Sequence, residues 1–97
     1  MKYLPIGTVV LLKNAEKKLM IEGYMFANEN DPGMVYDYGG VMYPEGRMDS
    51  DHFLLFNEDM IEEVIAYGYV DGEARDFLDR LSEVAGMEDN STLFQET

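Results

Sequence analysis

Residues 4–24, LPIGTVVLLKNAEKKLMIEGY, most constrain what this chain can fold into. An apolar run, a short polar segment and a second apolar run read as a β-hairpin. In the first run, residues 4–13, Ile6, Val10 and Leu12 alternate with Gly7, Val9 and Leu11. Both faces are therefore apolar, which suits a strand buried on both sides or one whose second face a helix covers. Pro5 has no amide donor and fits the start or edge of that strand. Residues 14–17 are polar and short enough for the hairpin loop. Residues 18–26 form the second strand, with Leu19, Ile21, Gly23 and Met25 on one face and Lys18, Met20, Glu22 and Tyr24 on the other. A glycine in mid-strand, Gly23, marks a bulge or a sharp bend.

The rest of the chain continues in the same manner until one helix closes it. Residues 28–33, NENDPG, form a loop, since Asn and Asp favour turns, Pro fixes one dihedral and Gly tolerates positive φ. Its acids and amides lack the alternating oxygen ligands and closing Glu of a calcium loop, so a turn is the better reading. Residues 34–43 form a third strand divided by Gly39 and Gly40, a pair that suggests a bulge or strong bend. Pro44, Glu45 and Gly46 make a turn, residues 47–51 a polar connection, and residues 52–56 a fourth strand. Asn57, Glu58 and Asp59 stop that strand with a single helical turn. Residues 61–69 fit both periods, and their β-branched and aromatic content with Gly68 favours a strand.

Residues 73–85 have a helical period: Ala74, Phe77, Leu78, Leu81, Val84 and Ala85 fall on one stripe. Asp71 is the expected N-cap and Gly86 the expected stop. Arg75 with Asp79 and Asp76 with Arg80 are expected i,i+4 ion pairs on the exposed side. The expected fold class is α+β: about five antiparallel strands forming a small SH3-like, partly open barrel or a curled sheet, with the C-terminal helix packed on it. Residues 1–86 are read as one compact domain and 87–97 as a flexible acidic tail.

The net charge of −13 is unevenly placed, with −1 over residues 1–48 and −12 over residues 49–97. That field repels phosphate backbones and disfavours nucleic acid as a partner, while it suits a basic protein or serves solubility alone. The chain has no cysteine, which removes disulfides and thiolate metal sites. No apolar run approaches the roughly 20 residues of a membrane span. The N-terminal apolar run is broken by Pro5 and Gly7 and reads as a strand rather than a signal peptide, so the expected location is cytoplasmic.

Residues arranged for catalysis are scarce. The single histidine, His52, follows Asp49 and Asp51 and could serve as a ligand or a base, yet a lone histidine beside a strand is more often structural. There is no nucleophile elbow, zinc-helix motif or phosphate loop, and Gly39-Gly40 is followed by no helix N-terminus or lysine. Carboxylate pairs abound in an acidic chain and none stands out. No cofactor or metal is expected. Seven tyrosines, five phenylalanines and eight methionines, by contrast, are many for so short a chain to bury. Tyrosine and methionine at a surface favour adaptable protein contacts. Tyr36, Tyr38, Met42 and Tyr43, around the glycine pair, are the candidate protein-binding residues, with core filling as the alternative.

The segments YLPIGTVVLLK, KKLMIEGY, GGVMYPEG and LLFNEDMIEEVIAYGY, in this order and spacing, resemble the domain of unknown function numbered 4176, a family of small proteins of Gram-positive bacteria. The resemblance spans residues 3–82 and rests on no catalytic motif. It implies a setting beside type VII secretion and LXG-type toxin genes. The implied role is that of a non-enzymatic chaperone or adaptor for a secreted toxin, with an immunity protein as the alternative. It carries no site residues over.

Overall fold

A computed structural model describes residues 3–49 and 52–89. Five strands form one antiparallel sheet: β1 (Val9–Leu12), β2 (Lys18–Asn28), β3 (Asp31–Met42), β4 (Phe53–Phe56) and β5 (Ile61–Ala66), in the order β4-β3-β2-β1-β5. A helix, α1 (Gly72–Asp89), follows β5. The α+β class and the curled sheet with a helix are as expected, and the sheet does not close into a barrel.

The connection between the two edge strands shows why the sheet must curl. A flat five-stranded sheet holds its edges about 19 Å apart, four spacings of about 4.8 Å. The five Cα steps from Phe56 to Ile61 reach at most about 18 Å when fully extended. Here that link includes the 3₁₀ turn Glu58–Met60, which is shorter still. The edges therefore bend towards each other, and the link is joined to the end of β1, where the Lys13 amide donates to the Met60 carbonyl at 2.8 Å. The concave face holds the core: Val10, Leu19, Ile21, Tyr38 and Phe56, joined by Tyr3 from the N-terminal segment and by Leu78 and Ala85 of α1.

The elements differ from expectation at several places. The first strand is shorter than residues 4–13. Residues 3–8 are irregular because the Pro5 carbonyl accepts from the Thr8 amide and Gly7 takes φ 88°. The expected loop over residues 28–33 shrinks to a two-residue turn at Glu29-Asn30, with Asn28 paired to Asp31 and its side chain accepting from the Asn30 amide at 2.9 Å. Residues 32–34 then form an irregularity within β3, a position that tolerates a proline. β5 ends at Ala66 rather than residue 69. Asp71 caps α1, its Oδ1 accepting from the Ala74 amide at 2.9 Å. The helix does not stop at Gly86 but runs to Asp89, so residues 87–89 of the tail expected over 87–97 are helical, and residues 90–97 lie outside the described residues. Among the described residues, neither Arg75 and Asp79 nor Asp76 and Arg80 form an ion pair, which fits the weak pull between solvated charges.

The irregularity expected at Gly39-Gly40 falls on the partner strand instead. β3 runs straight through both glycines, and the register shifts in β2, where Ile21 faces Gly40 and Gly23 faces Gly39, leaving Glu22 as the extra residue. A Cβ on Gly40 would lie 2.4 Å from the Met20 carbonyl oxygen, so the glycine permits the two backbones to approach at the bulge. On the convex face a Cβ on Gly39 would lie 2.5 Å from the rings of Phe26 and Phe53. Those rings meet edge to face at 5.0 Å and cover the glycine backbone. Gly39→Ala is expected to lower unfolding stability by about 1–3 kcal/mol through this overpacking. Gly33→Ala, where a Cβ meets no atom within 4 Å, is expected to stay within about 0.5 kcal/mol. Urea unfolding of the two variants checks the difference.

Candidate functional site

Three tyrosines tie the N-terminal segment to the concave face. The Tyr24 hydroxyl donates to the Leu4 carbonyl at 2.6 Å, and the Leu4 amide donates to the Tyr38 hydroxyl at 3.0 Å. The Tyr38 hydroxyl in turn donates to Glu58 Oε1 at 2.5 Å. The Tyr3 ring stands edge-on to Tyr24 at 5.6 Å and to Tyr38 at 5.7 Å, while Tyr38 stacks on Phe56 at 5.5 Å. A second set of bonds fixes Glu58: its amide donates to Asp37 Oδ2 at 2.8 Å, and the Asp37 amide donates to Asn57 Oδ1 at 2.9 Å. Asn57 thus uses its side chain across the sheet and not as a cap on the turn that follows.

The Tyr24 and Tyr38 phenols are held in their neutral form. Burial pushes the Tyr38 hydroxyl well above the ordinary tyrosine range, and the bond to the Glu58 carboxylate adds to it. Burial likewise pushes Tyr24 up to about 12, partly opposed by a backbone hydrogen bond from Ile6. A nucleophile or general base requires the opposite shift, so the arrangement suits a structural tie.

Of the four candidate binding residues, Tyr38 is fully buried and offers no surface, and Tyr36 is half-buried opposite Phe26. Met42 and Tyr43 come together. With Met20, Pro44 and Gly46 they line a surface groove of about 200 Å³. Met42 and Gly46 also border a second hollow of about 220 Å³ with Glu45, Met48 and His52. The rim of this methionine-rich corner neutralises itself, with Lys17 bonded to Glu45 at 2.7 Å and Arg47 bonded to Glu22. The Arg47 guanidinium also lies 4.6 Å from the Phe53 ring centroid. Lys17 holds the Glu45 carboxyl below its usual range. His52 Nδ1 lies 2.6 Å from Asp49 Oδ1 with both side chains about half exposed. This is a surface pair, and among the described residues no three His, Cys, Asp or Glu side chains converge as a metal site would need.

A second surface went unmarked in the sequence. A slot of about 80 Å³ lies between the N-terminal segment and α1, lined by Pro5, Ile6, Tyr24, Tyr69, Ala74, Phe77 and Leu78. Its lips are apolar and open to solvent: Ile6 is 50%, Tyr69 82% and Phe77 53% exposed. The α1 stripe divides, with Leu78, Leu81 and Ala85 on the core and Phe77 and Val84 left largely uncovered. A six-residue stripe was legible; which edge of it the sheet would cover was not.

No helix among the described residues is long and apolar enough to cross a membrane. Residues 3–77 match the model of a family described as Domain of unknown function (DUF4176). No curated protein and no solved structure matches the chain.

The raised phenol values fix the direction of an alkaline effect. A folded value above the unfolded one gives stability that is complete below about pH 10, the unfolded tyrosine value, and is lost as pH rises through the folded value. For Tyr24 the window is pH 10 to about 12. Urea unfolding stability is therefore expected to fall over that window, and Tyr24→Phe is expected to flatten the fall. An unchanged slope in that variant would contradict the assignment.

Proposed function

Because the chain belongs to the DUF4176 family, whose description names no activity, we propose a function from its surface: a non-enzymatic, protein-binding accessory factor. Its partner is a type VII secreted toxin of the LXG type, which it accompanies in the cytoplasm as chaperone or adaptor. The observation that carries this reading is the apolar surface left uncovered once the core is filled. Ile6, Tyr69 and Phe77, which line one slot, are each at least half exposed, as is Met48 at the methionine-rich corner. Large apolar side chains grouped at a surface mark contact sites, and Tyr and Met suit partners that must be gripped adaptably. The upward shift of the buried phenols and the solvent-open His52–Asp49 pair support a binding role over a catalytic one. The net charge of −13 favours encounter with a basic partner.

Co-expression with the toxin encoded beside it, and purification through a tag on one of the two, tests this reading. The expected result is co-elution through the toxin's N-terminal targeting region with toxic activity intact. Binding to the toxic C-terminal domain with loss of activity would make the protein an immunity factor instead. Absence of co-elution at micromolar concentration would overturn both.

A further inference from the structure

We infer that the uncovered edge of α1, together with the Ile6–Tyr69–Phe77 slot, is the docking site for a basic amphipathic helix of the partner. The inference rests on the protein-binding reading above and names the surface and the partner chemistry. Phe77 and Val84 lie seven residues apart, on one line of α1 about 100–120° round from the buried Leu78 and some 10 Å long. A helix laid beside α1 meets such a line with its own apolar residues at i, i+3 or i+4, and i+7, and the slot at its N-terminal end accepts one larger side chain.

Two observations select a helix with basic flanks. First, strand addition at the neighbouring edge is disfavoured. The ladder of β5 on β1 shifts register at both Val9/Val10 and Leu11/Leu12, so that free edge offers no regular row of donors and acceptors. Recognition there falls to side chains. Second, the charge around this surface is not spent internally. Within about 120° of that line, on its solvent side, Glu73, Asp76 and Glu83 stand with Arg80, so the flank remains acidic. Among the described residues of α1 no ion pair is formed. The methionine-rich corner differs, because its lysine and arginine are already engaged by Glu45 and Glu22. A second copy of this chain would bring two acidic helices together, which the same charge opposes.

The test uses the full chain and two synthetic amphipathic peptides of about 18 residues, five helical turns. Both carry leucine on one face, and the other face carries lysine in one peptide and glutamate in the other. Amide and methyl NMR spectra are recorded during titration at about 50 mM and about 300 mM salt, where screening differs strongly. Saturable binding of the lysine peptide is expected, with shifts centred on Ile6, Tyr69, Phe77 and Val84 and weaker binding at high salt. Phe77→Ser and Tyr69→Ser should weaken it about tenfold or more, whereas Met42→Ser should not. Because Tyr69 and Phe77 are more than half exposed, these variants should keep the parent's circular dichroism. Shifts centred on Met20, Met42 and Met48, equal binding of the glutamate peptide, or self-association that covers the patch would each overturn the assignment. In the co-elution experiment, a toxin retained by Phe77→Ser as firmly as by the parent refutes this site alone. A toxin that the parent also fails to retain refutes the binding role itself.

Discussion

The Tyr38 hydroxyl sits where three parts of the chain that are distant in sequence meet. It accepts from the Leu4 amide and donates to the Glu58 carboxylate, while its ring lies between Tyr3 and Phe56. A curled sheet brings its edges together over a concave face, and the link between them must be fixed without leaving polar backbone buried and unmatched. An aliphatic side chain could fill the same volume. Only a residue with an apolar body and a polar tip can fill it and also satisfy the Leu4 amide. Among the described residues no buried side-chain nitrogen or oxygen is left without a partner.

A bulge in β2 adds to the curl. Adding Glu22 opposite Gly39-Gly40 bends the hairpin and increases its local twist. The two glycines then serve different faces, one admitting the Met20 carbonyl and the other lying beneath Phe26 and Phe53. Met25, at φ 56°, follows in the same strand, and beyond it the Phe26 ring goes to the convex side although Tyr24 faces the core. Glu22 also reaches the convex face to hold Arg47, so the residue that creates the bulge also anchors the methionine-rich corner beside it.

The two apolar surfaces that result are electrically unlike. The corner around Met20, Met42 and Met48 is bordered by paired charges, which shape it without projecting a field. The α1 surface carries exposed acids that remain unpaired among the described residues, and their attraction acts at a distance of about a Debye length before any contact forms. Affinity would then come from Tyr69 and Phe77, whose rings offer large contact area with few rotatable bonds.

The sequence by itself determined that five strands precede a closing helix capped by Asp71, because alternation, helical period and capping chemistry are local, while pairing set where the strands begin and end. It also determined the acidity of the C-terminal half. It marked Gly23 as irregular but could not say that the extra residue would be Glu22. Likewise it gathered Tyr36, Tyr38, Met42 and Tyr43 as neighbours, and only Met42 and Tyr43 came to line one surface. Which tyrosine is buried depends on cross-strand register, set by pairings such as Tyr24 with Tyr38 and Tyr38 with Phe56. Tertiary structure alone decided which edge of the α1 stripe stays open, since that depends on how the helix is rotated against a curled sheet. Ile6, Tyr69 and Phe77 are separated by 63 and 8 positions in the chain, and no local rule relates residues that only packing brings into one slot.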